Sequence, residues 1–514
     1  MRSTTLAKNW VIHQIPEDVW QEIFKIAVLE NPEIDIASTS SRVVDNSLRL
    51  SHVCSRFYNI VADIPDLWTD IALRIDRHGN SSPKQELIVL AFKRASTKPL
   101  TLNLAYTTAS LRNNASPVYL TSSSNIRDAV KRRYALPAFW NFALNIHRAQ
   151  KMRIDAQLLN TTCIGCRNPA KRFQWRATSD LIFVKHYAPI LETLEIVGSV
   201  RHPSPDEYKI GLYDKGLAPF VRRTVQMSPK LHTLIRRQPT SGRPVLVHDT
   251  QMYFRNLVNL EILEGYIFVS ELYLVLSSTR ALERCNAGRL LGVIPAQSRI
   301  RNLPFLRELT LIGYVADDIR GNSPLTRILS LIRAPLLNKL VLRRDRKWIQ
   351  EDFITFISRC ELTLEHLVLD RDQSTEQEKL EFLCLLPNLK SLELHSTYDC
   401  EQEDDGPHLL TDAFAKCLTT WDTSKGEFSI CPVLESFGYD KDGVEVDSDD
   451  PVLSSMIEYR WNGAPGKKYL KAVSVCGVGR SLLYDIRRLL VLQKEGLKVT
   501  FYDDPCSMKL VCRD

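Results

Sequence analysis

The chain has 514 residues, of which 44% are hydrophobic and 25% charged, and its formal net charge is +7. This composition is that of an ordinary folded protein, and so mild a charge gives little reason to expect nucleic acid as a partner. We expect neither a membrane span nor secretion, since there is no apolar run of about eighteen residues and no apolar signal segment near the start. Twelve scattered cysteines are typical of reduced thiols in a cytoplasmic or nuclear protein.

The first predicted element is an amphipathic helix in IHQIPEDVWQEIFKIAVLE, residues 12–30. Pro16 suits the first helical position, and acidic residues follow in the first turn, where the helix dipole favours negative charge. The apolar side chains spread over roughly 200° of the helical wheel, about twice the minimum apolar stripe; they are Val19, Trp20, Ile23, Phe24, Ile26, Ala27 and Val28. This pattern predicts two apolar flanks, one packed on the protein's own core and the other available to a partner.

A second helix is predicted in SLRLSHVCSRFYNIVADIPDLW, residues 47–68. Apolar residues recur on one face of this stretch, and Pro65 is expected to end the helix. The segment between the two helices, residues 31–47, has no clear period and is interpreted as a loop.

Taken in order, these residues resemble an F-box, a motif that opens on Leu-Pro-x-Glu and closes on Leu-Trp. The resemblance covers residues 13–70 and implies docking on a Skp-type adaptor, and through it on a cullin–RING ubiquitin ligase. The matching positions are Ile15, Pro16, Glu17, Val19, Ile23, Phe24, Val53, Cys54, Phe57, Pro65, Leu67 and Trp68. The implied adaptor-binding residues are Ile15, Pro16, Val19, Trp20, Ile23, Phe24, Val53, Cys54, Phe57, Leu67 and Trp68.

This sequence departs from the F-box pattern in two places. Ile15 stands where the motif usually has leucine, and the loop at 31–47 is longer than in the compact motif. The long-loop form is similar to F-box proteins abundant in mushroom-forming fungi, in which a leucine-rich region follows.

The rest of the chain repeats the phrase Leu-x-x-Leu-x-Leu, usually with proline two positions before the first leucine. The last regular intervals between leading leucines are 31, 27 and 25 residues, near the leucine-rich-repeat range of about 20–29. A further copy, ALERCNAGRL around Leu282, shortens one of the wider gaps, and additional strands are predicted in WTDIAL, KPLTLNL, QKMRID and LKAVSVCG. The leading leucines are predicted at positions 191, 231, 260, 306, 337, 364, 389 and 434.

The predicted fold class is therefore α/β. A small all-α F-box region is expected over residues 1–75, with its core at 13–70. An irregular leucine-rich-repeat solenoid is expected over 76–514, as a curved parallel sheet with helices and loops on its convex side.

Strand alternation predicts which side chains face away from the leucines. Since neighbouring strands lie about 4.8 Å apart, two rows should cross the sheet: Arg343–Asp370–His395 and Val341–Val368–Glu393. Complementary packing of surface charges is the favoured interpretation of the first row, and part of a substrate-recognition face is the other. The candidate substrate-binding residues are Lys339, Arg343, His366, Asp370, Glu393 and His395.

Other motifs point to no chemistry. Cys163 and Cys166 form a single C-x-x-C, and His186 alone does not complete the four ligands of a structural zinc. No nucleophile–base set or phosphate loop is recognisable, so we expect no catalytic residue, no metal and no cofactor.

We therefore expect a substrate-recognition subunit of an SCF-type ubiquitin ligase, which binds an unknown protein substrate and is not itself an enzyme. Three alternatives remain open. The first is a leucine-rich-repeat protein-binding scaffold whose F-box-like cap is only structural. The second is an enzyme that uses Cys163 and Cys166 with a metal. The third, a nucleic-acid-binding protein, is disfavoured because the predicted face mixes charges of both signs.

Overall fold

The structure is a computed structural model. The chain divides into two compact units, Met1–Tyr253 and Phe254–Asp514. We refer to them as unit 1 and unit 2 and describe each by itself. The residues that the structure describes are 15–29, 42–76, 81–107, 141–155, 188–197, 227–237, 256–263, 266–295, 298–313, 323–345, 347–395, 410–440, 452–463, 469–476 and 483–502.

The first elements of unit 1 among the described residues are three α-helices and a 3-10 helix. Helix α1 spans Glu17–Leu29, α2 spans Arg42–Ser51, α3 spans Ser55–Asp63, and the 3-10 helix covers Pro65–Trp68. Pro65 follows the end of α3, as predicted, and stands in the first turn of the 3-10 helix.

The prediction of one continuous second helix was wrong, because the chain leaves the helical conformation between α2 and α3. Cys54 has extended backbone (φ −161°, ψ 167°), and its Sγ accepts a hydrogen bond from the backbone N–H of Phe57 at 3.5 Å. This local cap starts a new helix at Ser55. The predicted loop at 31–47 also extended too far, since its last residues, from Arg42 onward, belong to α2.

The sheet of unit 1 has the order β2-β1-β3-β4-β5-β6, in which only β2 is antiparallel to its neighbour. Helix α4 and a 3-10 helix at Ile146–Arg148 lie between strands in the sequence. The predicted boundary between the F-box region and the solenoid, at residue 75, falls inside β1. The elements are β1 Asp70–Asp76, β2 Ser81–Ser82, α4 Gln85–Arg94, β3 Leu100–Thr107, β4 Ala149–Asp155, β5 Thr193–Val197 and β6 Thr233–Arg237.

Unit 2 contains a parallel sheet in the order β7-β9-β11-β13-β14-β15-β18-β19-β20, with β8 also paired to β9. Its long strands are β7 Asn259–Leu263, β9 Arg284–Leu291, β11 Glu308–Gly313, β13 Lys339–Arg343, β14 His366–Asp370, β15 Ser391–His395, β18 Ser436–Asp440, β19 Ala472–Cys476 and β20 Lys498–Tyr502. Its short strands are β8 Tyr266–Phe268, the parallel pair β10 Arg301–Asn302 and β12 Ile332–Arg333, and the antiparallel pair β16 Trp421–Asp422 and β17 Glu427–Phe428.

Within the described residues, a helix lies between most consecutive long strands of unit 2, since parallel strands are usually joined by a helical crossover. They are α5 Val269–Ser278, α6 Leu325–Ser330, α7 Gln350–Ile357, α8 Glu376–Cys384, α9 Asp412–Thr419, α10 Val452–Asn462 and α11 Leu483–Lys494. The prediction of an α/β protein with a large parallel sheet is confirmed.

Most of the predicted repeat phrases lie where strands form. The strand begins two residues after the leading leucine in every copy but one, and the added copy at Leu282 leads β9 in the same way. The exception is the copy before β7: its leading leucine is Leu257, which is fully buried, and Leu260 is the second leucine of the phrase. The four additional predicted strands correspond to β1, β3, β4 and β19.

The leucines of these phrases form the core. The leading leucines and the two that follow in each strand of β13 and β14 are fully buried, and each contributes about 1.5–3 kcal/mol. Helices α7 and α8 add aromatic side chains: the ring centroids of Phe353 and Phe382 are 4.9 Å apart, and that of Trp348 is 4.5 Å from Phe353. In the described part of the chain, no helix combines the length and the apolar character needed to cross a bilayer.

Candidate functional site

Helix α1 has two apolar flanks, as predicted from its helical wheel. On the inner flank Phe24 is 2% exposed and Val28 is buried. On the outer flank Val19 is 44% exposed, Ile23 is 40% exposed, and Ile26 is exposed as well. Apolar side chains of this size that remain open to solvent on one helix face are typical of a partner-binding surface.

The inner flank packs against α3 through three aromatic rings. The ring centroid of Trp20 lies 5.5 Å from that of Phe24 and 4.8 Å from that of Phe57. Phe24 and Phe57 meet edge to face at 4.9 Å, an arrangement that adds about 0.5–1.5 kcal/mol beyond area burial. This cluster fixes the rotation of α1 and thereby points the outer flank away from the core.

The closing Leu67 and Trp68 are fully buried and join the helices to the sheet of unit 1. The Nε1–H of Trp68 donates to the backbone carbonyl of Val61 at 2.8 Å, and the Oγ of Ser47 donates to the carbonyl of Leu67 at 2.9 Å. The guanidinium of Arg94 lies over the Trp68 ring, 4.5 Å from its centroid. These contacts hold α2, α3 and α4 around one indole ring.

The turn between α2 and α3 presents further apolar surface. Val53 is 62% exposed and Cys54 is exposed beside it. At the start of α1, Pro16 is exposed and Ile15 half-buried, and the Nη2 of Arg56 donates to the carbonyl of Ile15 at 2.8 Å. We use the name exposed apolar set for Val19, Ile23, Ile26 and Val53.

The structure therefore sorts the predicted adaptor-binding residues into three groups by their exposure. Phe24, Phe57, Leu67 and Trp68 lie in the interior, where they position the helices. Pro16, Val19, Ile23, Val53 and Cys54 are exposed, and Ile15 and Trp20 are half-buried. Ile26 is an addition to the prediction, and its spacing of three residues from Ile23 is the signal that places it on the same face.

The second candidate surface is the sheet face of unit 2 that points away from the leucines, which we call the open face. The predicted rows are confirmed by the strand register. Arg343 lies opposite Asp370, which lies opposite His395, and Val341, Val368 and Glu393 form the neighbouring row. Lys339 lies opposite His366.

Three residues predicted to face outward are nevertheless buried. Val341 and Val368 lie on the open face but are covered, and His395 is buried as well. A short apolar side chain between longer charged ones is shielded by them, because Lys and Arg stems lie along apolar surface. Solvent therefore reaches the charged residues of this face more than the valines.

In the charged row, Arg343–Asp370–His395, the ion pairs of Asp370 are longer than hydrogen bonds, whereas His395 forms a hydrogen bond of 3.5 Å. Asp370 lies between two guanidiniums, with Arg343 Nε 3.7 Å from its Oδ2 and Arg371 Nε 3.8 Å from its Oδ1. His395 Nε2 is 3.5 Å from a carboxylate oxygen of Glu393. Arg371 was not predicted; it follows β14 with a left-handed backbone (φ 55°), and its N–H donates to the carbonyl of His395 at 2.7 Å.

Each residue of the charged row keeps one buried polar atom without a hydrogen-bond partner among the described residues. These atoms are Arg343 Nε, Asp370 Oδ1 and His395 Nδ1. Buried polar atoms are usually paired, so the row leaves three hydrogen-bonding groups unsatisfied within the described residues. Nearby, burial and then the charge of Lys339 lower the pKa of His366, which keeps this imidazole neutral at pH 7.

The C-x-x-C pair, Cys163 and Cys166, and His186 lie outside the described residues. Within the described ranges, no group of three or more His, Cys, Asp or Glu side chains is placed to hold a metal ion. Burial raises the pKa of the Cys285, Cys360 and Cys431 thiols to about 12, so these three are protonated and unreactive at neutral pH.

The sequence matches no protein-family model and no curated protein. What the chain does therefore has to be inferred from the exposed apolar set and the open face themselves.

Proposed function

We propose that this protein is the substrate-recognition subunit of an SCF-type cullin–RING ubiquitin ligase. The N-terminal helices would dock on a Skp-type adaptor, and the parallel sheet, as an irregular leucine-rich-repeat solenoid, would hold a protein substrate. The observation that carries the proposal is the exposure of Val19 and Ile23 beside the buried Phe24, within a stretch whose residues follow the F-box order from Ile15 to Trp68.

The exposed apolar set supports docking energetically. Its four side chains are 40–62% exposed, so burying the exposed part of each would contribute about half of the roughly 1.5–3 kcal/mol that full burial gives. Association costs roughly 4–15 kcal/mol in lost freedom of motion, so these anchors offset part of that cost before polar contacts are counted. The aromatic cluster of Trp20, Phe24 and Phe57 reduces the remaining cost, because it holds α1 in place before the adaptor arrives.

In this role the protein performs no chemistry of its own. It raises the effective concentration of a substrate next to the ubiquitin-charged enzyme, which is the gain that any bivalent linker provides. The protein would act in the cytoplasm or nucleus, where unpaired cysteines such as the seven in the described part of the chain stay reduced.

Co-purification with a Skp-type adaptor and its cullin tests the proposal. A Val19→Asp, Ile23→Asp double variant places two charges on the outer flank without touching Phe24. Val89→Asp is the matched control, because Val89 lies on α4 of the same unit and is also 44% exposed. The proposal predicts that the wild type and the control retain the adaptor and the double variant loses it; equal recovery of adaptor by all three would refute docking.

The competing function is a leucine-rich-repeat scaffold whose N-terminal helices only cap the sheet. A purely structural cap requires the apolar residues of α1 to be covered by the protein itself. Phe24 and Phe57 are covered, but Val19 and Ile23 are open to solvent, and this exposure favours the ligase subunit. A folded protein that binds partners through the open face and ignores the adaptor would establish the scaffold instead.

A further inference from the structure

The open face of unit 2 carries its charges in an ordered sequence across three strands. On β13, Lys339 and Arg343 are both cationic; on β14, Asp370 is anionic; on β15, Glu393 is anionic. Since neighbouring strands lie about 4.8 Å apart, the sign of the surface changes from positive to negative within about 10 Å.

The positive charge on β13 is incompletely neutralised. Arg343 Nε lies 3.7 Å from Asp370 Oδ2, beyond the usual length of an N–H···O hydrogen bond. This Nε has no hydrogen-bond partner among the described residues. Asp370 also serves Arg371 at 3.8 Å, so one carboxylate faces two guanidiniums. Lys339 has no carboxylate within 4.0 Å in the described part of the chain.

The positive charge of Lys339 acts on His366, its neighbour on β14. Burial is the first cause of the lowered pKa of His366, and the charge of Lys339 is the second. The acidic groups near His366, Glu365 and Glu393, act in the opposite direction and do not cancel the shift. This histidine is therefore uncharged at neutral pH and adds no positive charge beside Lys339, whose neighbour on the other side is Glu308 of β11.

The negative end of the face is held in place by packing. Glu393 lies over Gly438 of the next strand, where an added Cβ would stand 2.9 Å from Glu393 Cγ. Glycine at this position gives the glutamate stem room to lie across β18, and His395 Nε2 faces its carboxylate at 3.5 Å. A second acid placed here would meet like charge.

From this arrangement we infer that the open face binds an acidic peptide segment, whose carboxylates contact Lys339 and Arg343 over β13 and are kept away from β15 by Glu393. The Arg343 side chain is 28% exposed and would present its guanidinium to such a carboxylate, and charge-assisted hydrogen bonds of this kind are among the stronger ones. The inference rests on the proposed function only in identifying this peptide as part of a substrate.

A nucleic acid fits this face less well than an acidic peptide. A nucleic-acid groove follows the phosphate backbone with cations along its length. Here Asp370 and Glu393 interrupt the positive surface after one strand, so only a short run of negative charge can be accommodated.

Fluorescence anisotropy with the purified full-length protein tests the inference. The probes are a fluorescein-labelled peptide of alternating glutamate and serine, the same peptide with lysine for glutamate, and a single-stranded oligothymidylate. We expect the acidic peptide to bind and the lysine peptide not to bind. Arg343→Gln and Lys339→Gln should each weaken acidic-peptide binding by about tenfold, the effect of losing one charge-assisted contact.

Two further variants keep the test independent of folding. Glu393→Gln removes the repelling charge and should tighten binding of the acidic peptide, which a damaged protein would not do. Lys390→Gln is the matched control: Lys390 lies at the turn before β15 and is already paired with Glu365 at 2.8 Å, so binding should not change.

The inference is overturned if the acidic peptide fails to bind, if the lysine peptide binds as well, if the oligothymidylate binds more tightly, or if Arg343→Gln has no effect. Adaptor co-purification of the same variants separates the two proposals. Variants that lose the peptide and keep the adaptor leave the ligase role intact, whereas a wild type that binds the peptide and ignores the adaptor refutes only the ligase role.

Discussion

Ile23 and Phe24 are consecutive residues of α1 that lie in opposite environments: Ile23 is 40% exposed, and Phe24 is 2% exposed. The Phe24 ring packs edge to face on Phe57 of α3 at 4.9 Å, and successive helical positions point about 100° apart. The same contact that buries Phe24 therefore presents Ile23 to solvent. Stability and the proposed docking would therefore depend on different residues of one short helix, which allows each to be tested alone.

Phe57→Ala is expected to destabilise unit 1 by about 3–5 kcal/mol, the usual cost of removing a buried phenylalanine ring. Trp20 and Phe24 both lose their contact with this ring. Ile23→Ala, on the exposed side of α1, should change stability by less than about 1 kcal/mol. Urea unfolding followed by tryptophan fluorescence compares the two, and similar losses would contradict the assigned orientation of α1.

Asp70 gives unit 1 a defined dependence on pH. Burial raises the pKa of this carboxyl, at the start of β1, from 3.8 to about 6, against the opposing charge of Arg153. Between these two values the folded protein binds the proton more tightly than the unfolded chain, so the free energy of unfolding falls as pH rises through this window. The loss is complete above pH of about 6.

Asp70→Asn removes the ionisation and should therefore be more stable than the wild type at pH 7 while the two converge near pH 4. Urea midpoints measured from pH 4 to pH 7.5 for both proteins test this expectation. A wild type and variant with parallel pH profiles would show that Asp70 titrates normally.

Arg460 is expected to be irreplaceable by lysine. Its buried guanidinium donates through Nε, Nη1 and Nη2 to the carbonyls of Leu418, Cys431 and Ile430 at 2.8, 3.0 and 2.6 Å. A lysine ammonium lacks the planar fork that reaches all three, and each carbonyl left without a donor costs about 1–3 kcal/mol. Arg460→Lys should thus lower the urea midpoint of unit 2 strongly, and Arg487→Lys, on an exposed position of α11, should not.

Two glycines of unit 2 should differ in their tolerance of alanine. A Cβ at Gly313 would collide with the backbone carbonyl oxygen of Arg344, which cannot move without disturbing the sheet. A Cβ at Gly438 would meet the Ser474 hydroxyl at 2.5 Å, a side-chain atom. We expect Gly313→Ala to cost about 1–3 kcal/mol.

Gly438→Ala should be partly rescued by Ser474→Ala, because the second change removes the colliding hydroxyl. Thermal denaturation of the two single variants and the Gly438→Ala, Ser474→Ala double variant measures this rescue. A double variant less stable than Gly438→Ala alone would contradict the geometry.

Much of the sheet could be predicted because the repeat phrase indicates both where a strand begins and which of its side chains are buried. Leucines at alternate positions lie against the core, and the register across β13, β14 and β15 follows from aligning the phrases. Leu260 was misassigned because the phrase before β7 holds leucines at both 257 and 260, and either can be taken as the first. Strand β20 lacks the phrase and was missed.

The candidate surfaces could be predicted only in part, since the sequence pattern names a face without saying what covers it. The break between α2 and α3 depends on the Cys54 cap, a local hydrogen bond with no counterpart in the apolar period. The burial of Val341 depends on the charged side chains that flank it. The position of Arg371 depends on its left-handed backbone after β14. Those features arise from tertiary packing and not from alternation.

The dissociation constant for a purified Skp-type adaptor, measured by isothermal titration calorimetry, tests the central claim most directly. The wild type and Val89→Asp should bind with the same affinity. Ile23→Asp should bind at least about tenfold more weakly, because a charge replaces an apolar side chain of the exposed apolar set that the adaptor would bury. Wild-type protein that is folded and gives no heat of binding, or an Ile23→Asp variant that binds as tightly as the wild type, would contradict the assignment of this surface to adaptor docking.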